Sequence, residues 1–324
     1  MNTAQAQLGA VLAAGGPELA RLLERTEARL IEVADKGGPA LARHATGTLS
    51  AGGKRLRPIL VFLCADGDGR ERLVAAAAAV ELLHMATLVH DDVLDRAPLR
   101  RGRPTVFAEG GRLAATATGD LLFSRAFAEL AATESEDAVR ALSAASSALA
   151  RGELMQREDA WSEDVTPERY LERCRLKTAS LFDAACRLGA LFGGRPELAA
   201  ALGCFGERVG LAFQMLDDVL DVAGPAERTG KPRGADLLDG TVTLPLILAR
   251  DRDPGLRRLD PSLDRDGAAV LCDRIAATGA LDEAREQALR HVAEAKASLA
   301  GLELPEARQR ALELVADGVV ERYA

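Results

Sequence analysis

Residues 90–95 read His-Asp-Asp-Val-Leu-Asp and close a long apolar run that begins near Leu73. On a helix, Asp91 and Asp95 lie one turn apart on the same face, because side chains at positions i and i+4 are neighbours. Two carboxylates beside apolar sequence repel each other and lose hydration unless a cation lies between them. The run therefore predicts a long helix that ends in a pair of cation-binding carboxylates.

The pentapeptide Asp-Asp-Val-Leu-Asp returns at residues 217–221, again after an apolar run at residues 209–213. One such cluster alone is more often a helix cap or a solvated surface than a binding site. Two identical clusters after apolar helical runs favour two walls that face one metal-filled opening. Carboxylates suit Mg²⁺, which bridges them to substrate phosphates, whereas the lack of thiolate or multiple histidine ligands argues against zinc. The implied ligand is a diphosphate.

Helical periodicity recurs along the whole chain, and no convincing period-2 strand or hairpin signal interrupts it. Aromatic residues make up only 3%, while Ala and Leu are abundant, which favours helices over sheets. The pattern predicts helices at about residues 17–35, 40–49, 58–65, 70–95, 112–131, 136–159, 167–192, 196–222, 243–250, 264–278, 281–302 and 305–323. We expect an all-α protein and, because no low-complexity linker divides the chain, one domain over residues 1–324.

Bulk composition narrows the function and the compartment. The net charge of −8 argues against nucleic-acid binding, which requires a basic face. Five scattered cysteines without a Cys-x-x-Cys spacing indicate reduced thiols in a cytosolic protein. The N-terminus carries no signal pattern, and the apolar run at residues 73–89 is interrupted by Glu81 and His84 and is short for a membrane span. We expect a cytoplasmic protein without a transmembrane segment.

Two basic runs accompany the first acidic cluster, at residues 54–57 and 100–103. Guanidinium and ammonium groups are the usual partners of phosphate oxygens. Either run alone is more often a solvated surface. Together they offer more positive charge than one metal-bound diphosphate needs, which suggests a second diphosphate held directly by side chains.

These motifs, in this order, resemble the all-trans polyprenyl diphosphate synthases of the isoprenoid synthase family. The matching stretches are Gly-Gly-Lys-Arg-Leu-Arg-Pro (52–58), Glu81 through Asp95, Leu-Arg-Arg-Gly-Arg-Pro-Thr (99–105), Gly119-Asp120, Gly152 through Gln156, Lys177-Thr178-Ala179, Phe213 through Asp221 and Thr229-Gly230-Lys231. The resemblance implies a single bundle of roughly ten or more helices around a central cavity, the isoprenoid synthase fold. It also suggests a homodimer.

The resemblance assigns roles to individual residues. Asp91, Asp95 and Asp217 would hold three Mg²⁺ ions around an allylic diphosphate, supported by Asp92, Asp218 and Asp221. Arg100, Lys177 and Lys231 would complete that site, while Lys54, Arg57, His84 and Arg101 would bind the diphosphate of isopentenyl diphosphate. Thr178 and Gln214 would lie beside the reacting carbons, where their oxygens stabilise positive charge.

The implied reaction is an ionisation followed by a condensation. Metal ions assist departure of the allylic diphosphate, and the double bond of isopentenyl diphosphate attacks the resulting cation. The condensed cation then loses a proton, by family analogy to the released diphosphate. Water must be excluded, because it would capture the cation. The polar loop at residues 224–239, which carries Lys231, is the natural lid.

One position departs from the family pattern. Many relatives carry Gly-Lys just before a Thr-Leu-Pro stretch, whereas this chain reads Gly240-Thr241 there. Either Arg233 substitutes for the missing lysine or the site works with one lysine fewer.

Product length depends on the residues four and five places before Asp91, which form the pocket floor in this family. Here they are Thr87 and Ala86, both small, and the alanine run at residues 75–79 continues down the helix. These residues could leave a deep groove, or they could merely let a neighbouring helix pack closely. The helix at residues 136–150 could supply a floor instead. We expect a product longer than farnesyl, geranylgeranyl or longer.

Three other functions share some of these features. A terpene cyclase shares the fold but needs only one diphosphate site. A di-iron carboxylate protein would need a second Glu-x-x-His beside the one at Glu81 and His84, and the sequence has none. A non-catalytic regulatory subunit should have lost an acidic cluster, whereas both are intact.

Overall fold

The protein is described by a computed structural model that covers residues 3–36, 38–50, 53–66, 69–100, 102–224 and 233–321. The first six helices are α1 (Thr3–Asp35), α2 (Pro39–Ser50), α3 (Leu56–Leu63), α4 (Arg70–Leu94), α5 (Val106–Ala131) and α6 (Glu136–Glu158). A π-helical turn (Arg175–Ala179) connects α7 (Pro167–Cys174) to α8 (Ser180–Phe192). The chain continues with α9 (Ala199–Ala223), α10 (Ala235–Leu238), α11 (Leu244–Arg250), α12 (Arg265–Ala277), α13 (Ala280–Leu299) and α14 (Glu306–Glu321). The predicted all-α class is confirmed.

Glycine and proline set several helix boundaries. Gly16 has a positive φ of 78° inside α1, so a new helical segment starts at Pro17, where the sequence predicted it. Gly111, with φ 72°, breaks α5 in the same way and explains the predicted start at residue 112. Thr166 caps α7 by accepting a hydrogen bond from the backbone N–H of Arg169. The helical segments at residues 3–15 and 106–110 were not predicted.

Sequence periodicity did not predict one short pair of strands. Two short strands, β1 (Leu99–Arg100) and β2 (Arg103–Pro104), form an antiparallel pair within the basic loop that follows α4. Each strand has two residues, which is too short for an alternating pattern to be visible in the sequence. The pair fixes the position of Arg100 beside the end of α4.

The core is centred on α4, which packs along α5 and also contacts α1, α3 and α8. Residues 76–80 together with Leu82, Leu83 and Ala86 are completely buried. Within the described ranges, α4 is the one helix long and apolar enough to cross a membrane, and 72% of its most apolar window is buried inside the protein. Its apolar surface is therefore used for packing against other helices, as expected of a core helix.

The carboxyl-terminal half is organised around α9, which packs against α8 and α13. Phe205, Val209 and Met215 of α9 are completely buried. All five cysteines are free thiols, and four of them are buried, in agreement with the predicted reduced state. Both acidic clusters thus lie in the last turns of two long core helices, α4 and α9.

Candidate active site

The first acidic cluster ends α4 and contains one carboxylate in an unfavourable environment. Burial raises the pKa of Asp91 to about 6, and the neighbouring charges of Glu153 and Asp95 act in the same direction against the opposing charge of Lys177. Asp92 is buried and accepts a 2.7 Å hydrogen bond from Arg100 Nε. A cation placed beside Asp91 would stabilise its charged form.

The π-helical turn at residues 175–179 connects the two acidic walls. Lys177 pairs with Glu153 of α6, and the charges of Asp91 and Glu153 outweigh burial and raise the pKa of the lysine. The next residue, Thr178, donates a 2.7 Å hydrogen bond to Oε1 of Gln214 on α9. Consecutive side chains therefore reach opposite walls, which matches the frequent occurrence of π-turns at functional sites.

Two glycines allow helices to approach this turn. A Cβ at Gly152 of α6 would lie 2.5 Å from the backbone nitrogen of Lys177, and one at Gly210 of α9 would lie 2.6 Å from Cα of Ala179. Neither position accommodates a side chain unless the backbone shifts. The π-turn is thus held between α6 and α9, which gives the Gly152-Glu153 motif its structural reason.

The second acidic cluster contains a buried hydrogen-bonded chain. Asp218 accepts hydrogen bonds of 2.7 Å from the hydroxyl of Tyr170 and from Nε2 of Gln214. Burial raises the pKa of Asp218 to about 8, the charge of Asp236 adds to this, and the two hydrogen bonds oppose it. Because Gln214 also accepts from Thr178, Asp218 fixes the orientation of both side chains predicted to lie beside the reacting carbons.

The remaining acidic positions differ in their surroundings. Asp217 is half-buried on α9. The carboxylate of Asp221 accepts a 3.2 Å hydrogen bond from the backbone N–H of Asp236, and its carbonyl accepts one of 2.9 Å from Gly234. Asp221 therefore anchors the chain where it returns from the predicted lid, of which residues 225–232 lie outside the described residues.

The Gly119-Asp120 motif packs against the first acidic cluster. His90, directly before Asp91, lies 3.2 Å from a carboxylate oxygen of Asp120. A Cβ at Gly119 would collide with the imidazole of His90. The motif therefore positions the end of α4.

An arginine that the sequence analysis missed lies between three carboxylates at the opening. Arg157 of α6 donates to Asp95 at 2.6 Å and to Glu153 at 2.9 Å, and it approaches Asp239 at 3.5 Å. The only sequence signal for this contact was the i, i+4 spacing of Glu153 and Arg157, which is common on solvated helices. Asp239 was part of the predicted lid without a role of its own.

The basic side chains at residues 54–57 have different surroundings. Arg55 forms ion pairs with Glu27 and, at 2.8 Å, with the buried Glu81, so it contributes to the structure of this region. Arg57 is half-buried with its guanidinium 4.5 Å from the ring centre of Phe182. Lys54, also half-buried, lines a small cavity with Phe213.

Other predicted diphosphate ligands are only partly located. His84 is half-buried on α4, on the turn before the acidic cluster. Arg101 and Lys231, which the resemblance placed at the two diphosphates, lie outside the described residues. Their roles stay predictions.

Arg233 does not lie beside Thr241 in this structure. Its Nε donates to the carbonyl of Val222 at 2.6 Å, and its Nη1 pairs with Asp273 of α12 at 2.7 Å. Thr241 is buried, and its hydroxyl donates to Asp239 at 3.2 Å. Of the two alternatives at this position, the substitution by Arg233 is thus not favoured.

The predicted chain-length floor lies in the α4 core. Ala86 is completely buried, and Thr87 is half-buried with its hydroxyl donating to the carbonyl of His84 at 2.7 Å. Residues 76–79 are also completely buried, which favours close helix packing for this part of the alanine run. Ala75 lines a cavity of about 230 Å³ with Arg29, Arg72 and Thr133 at the far end of α4.

The donor set fits a magnesium site that the substrate completes. In the described part of the chain, no three Asp, Glu, His or Cys side chains converge as a ready-made metal cage. Mg²⁺ does not require one, because it usually binds one or two carboxylates together with water and phosphate oxygens. Asp91 and Asp95 on α4 and Asp217 on α9 would supply such ligands.

A sequence profile of the polyprenyl synthetase family matches residues 39–271. The chain belongs to the polyprenyl synthetase family. It is 41% identical over 277 residues to heptaprenyl diphosphate synthase component 2 of Geobacillus stearothermophilus, covering 84% of this chain and 86% of that protein. The predicted family and enzyme class, a prenyltransferase, are confirmed.

Solved structures support the same assignment at the level of the fold. Heptaprenyl diphosphate synthase from Staphylococcus aureus superposes with a TM-score of 0.89 at 30% identity, covering 94% of this chain and 99% of that one. Polyprenyl synthase from Caulobacter crescentus, solved with calcium and isoprenyl diphosphate, gives a TM-score of 0.84 at 35% identity, covering 94% and 97%. The predicted isoprenoid synthase fold is thus confirmed.

Proposed function

We propose that this polyprenyl synthetase condenses isopentenyl diphosphate with an allylic diphosphate, and so makes a linear polyprenyl diphosphate longer than farnesyl. The observation that carries the proposal is the π-turn, whose Lys177 faces the acidic end of α4 while Thr178 bonds to Gln214 of α9. One site thus combines carboxylates, a diphosphate-binding cation and oxygens beside it. The similarity to heptaprenyl diphosphate synthases of Geobacillus stearothermophilus and Staphylococcus aureus supports the long product.

Each residue has a role that follows from its surroundings. Lys177 and Arg100 lie beside the carboxylates of α4 and would hold the leaving diphosphate. The hydroxyl of Thr178 donates a hydrogen bond to Gln214, so its oxygen lone pairs remain available to stabilise the positive charge that develops on the allylic carbons. Bound Mg²⁺, on Asp91, Asp95 and Asp217, would supply Lewis-acid assistance to the leaving group.

A second diphosphate site separates this function from that of a terpene cyclase. Three basic side chains are half-buried: Lys54 just before α3, Arg57 in its first turn and His84 on α4. We assign the diphosphate of isopentenyl diphosphate to them together with Arg101. A di-iron site is disfavoured, because Glu81 pairs with Arg55. A purely regulatory role is disfavoured by the intact acidic clusters.

We also propose that three Mg²⁺ ions bind with the substrate, that the chain is one cytoplasmic domain and that it forms a homodimer. Packing of α14 against α1 supports the single domain, because it joins the two ends of the chain. Exposed Leu113 and Phe123 on α5 and Leu154 on α6 support self-association. The "component 2" in the name of the Geobacillus protein makes a second kind of subunit the alternative.

The decisive experiment is an incubation of the purified protein with Mg²⁺, isopentenyl diphosphate and farnesyl diphosphate, followed by chain-length analysis of the dephosphorylated products. A series of products that ends at one length confirms the proposal. Hydrocarbons formed without consumption of isopentenyl diphosphate indicate a cyclase. Absence of turnover with geranyl, farnesyl and geranylgeranyl diphosphate would contradict autonomous catalysis.

A further inference from the structure

Arg157 occupies an unusual position for a residue of an exposed helix turn. Its Nη2 contacts Asp95 of the first acidic wall, and its Nε is held by Glu153 of its own helix. Its Nη1 lies 3.5 Å from both oxygens of Asp239, in the segment that follows the predicted lid. One guanidinium thus lies between the first acidic wall and the segment that carries Asp239.

The contacts of Arg157 differ in strength. The 2.6 Å bond to Asp95 and the 2.9 Å bond to Glu153 are normal charge-assisted hydrogen bonds, whereas 3.5 Å to Asp239 is a loose contact. Asp95 is also a carboxylate that we assign to Mg²⁺. Metal binding would take up the charge of that carboxylate and weaken its bond to Nη2 of Arg157, whereas Glu153 would still hold Nε.

We propose that Arg157 is a substrate-binding residue that transfers its guanidinium from Asp95 to the diphosphate of the allylic substrate when metal and substrate bind. The guanidinium that carries Nη2 already lies between Asp95 and Asp239, at the end of α4 that carries the acidic cluster. A guanidinium there contributes two N–H donors to phosphate oxygens. The inference rests on the proposed function, because it assigns a further ligand to the same diphosphate.

The surroundings of Thr241 support this assignment. Thr241 carries no charge, but its hydroxyl contacts Asp239, the same carboxylate that faces Arg157. Arg233 is directed to Val222 and Asp273 instead. Arg157 is therefore placed, together with Lys177, to serve this side of the opening, because the charges of both side chains act on Asp239. A lysine introduced at position 241 would reach the same region.

The test measures binding of inorganic diphosphate, in saturating Mg²⁺, by isothermal titration calorimetry. Loss of a charge-assisted hydrogen bond predicts that Arg157→Gln weakens binding by about tenfold or more. The affinity of Arg157→Lys should lie between those of the wild type and Arg157→Gln. Adding Thr241→Lys to Arg157→Gln should restore most of the lost affinity. Arg140→Gln is the matched control, because Arg140 forms an exposed ion pair with Glu136 on the same helix.

Steady-state kinetics provides a second readout. In Arg157→Gln, the KM for farnesyl diphosphate should rise about tenfold, while the KM for isopentenyl diphosphate stays within about twofold. Unchanged or tighter diphosphate binding by Arg157→Gln would overturn the proposal, because Arg157 would then only compete with the metal for Asp95. If Arg157→Gln does not fold, the binding and rescue measurements on Arg157→Lys decide.

The two proposals fail in different ways. If the wild-type protein elongates farnesyl diphosphate and Arg157→Gln binds diphosphate normally, the role of Arg157 is wrong and the proposed function stands. If the wild type elongates no starter but the Arg157→Gln variant binds diphosphate more weakly than the wild type, the proposed function is wrong and the binding role of Arg157 stands.

Discussion

Gly152 of α6 and Lys177 of the π-turn approach so closely that a Cβ at position 152 would lie 2.5 Å from the backbone nitrogen of Lys177. The contact involves backbone on both sides, so a side-chain rotation cannot relieve it. It fixes the distance between α6 and the two residues that face opposite acidic walls. The position of Lys177, to which we assign diphosphate binding, thus depends on the absence of one methyl group.

We expect Gly152→Ala to displace the π-turn and lower kcat by about tenfold or more, because small displacements of positioned groups cost this much in rate. Thermal denaturation should also show a loss of stability, of the size of about 1–3 kcal/mol for overpacking. Gly9→Ala in α1 is the control, because no atom of the described residues outside the local helix backbone lies within 4 Å of a Cβ built there. Equal activity of Gly152→Ala and the wild type would show that the turn tolerates the shift.

Tyr170→Phe removes one of the two hydrogen bonds that orient Asp218. Since Asp218 positions Gln214 and thereby Thr178, we expect kcat to fall while both KM values change little. Unfolding by urea should show a loss of about 1 kcal/mol, the usual size for one hydrogen bond. Thr26→Val, which removes a buried hydrogen bond to Leu22 within α1, should cost similar stability without changing kcat.

The raised pKa of Asp91 predicts a pH-dependent stability of the metal-free protein. The pKa of Asp91 in the folded protein, about 6, exceeds the ordinary value of 3.8, so the folded state binds the proton more tightly than the unfolded state does. The stability of the folded protein therefore falls as the pH rises from 3.8 through about 6. Asp91→Asn removes this effect. Denaturation in EDTA should show the variant gaining about 1–2 kcal/mol on the wild type between about pH 5 and pH 7.5. A constant difference between the two proteins would contradict the assignment.

Substitutions in the basic run at residues 54–57 should separate binding from folding. Arg57→Met should raise the KM for isopentenyl diphosphate and leave that for the allylic substrate nearly unchanged. Arg55→Met instead leaves Glu81 buried without its partner, and we expect it to lose about 3–5 kcal/mol of stability. Product assays and urea denaturation distinguish the two effects. If Arg57→Met raised both KM values equally, a dedicated second diphosphate site would be excluded.

Ala86→Phe should shorten the product, because it places an aromatic ring at the predicted floor five residues before Asp91. Because Ala86 is completely buried, we also expect the larger side chain to lower the free energy of unfolding by about 1–3 kcal/mol. Chromatography of the dephosphorylated products measures the length directly. Ala276→Phe on the exposed side of α12 is the control. An unchanged product length in a folded Ala86→Phe protein would place the floor elsewhere, such as on α6.

Local sequence was sufficient for the fold class and for most helices. The apolar period of α4, the cap at Thr166 and the break at Gly111 act within a few residues, so they can be predicted from the sequence alone. The β1–β2 pair was missed, since two-residue strands have no period. The motifs also predicted a shared site, and the structure pairs two of its members, Thr178 and Gln214, and lets the charge of Asp91 act on Lys177.

The sequence by itself determined that two identical acidic clusters end two apolar helices, and from this followed the diphosphate chemistry. Only the tertiary structure decided what each charged group contacts. Arg55 and Arg57 are two residues apart, yet one pairs with a buried glutamate and the other lies against an aromatic ring. Arg157 meets Asp95 and Asp239 across 62 and 82 residues of chain. The physical reason is that charge pairing depends on distance through space, and in a helical bundle that distance is set by packing between helices rather than by position along the sequence.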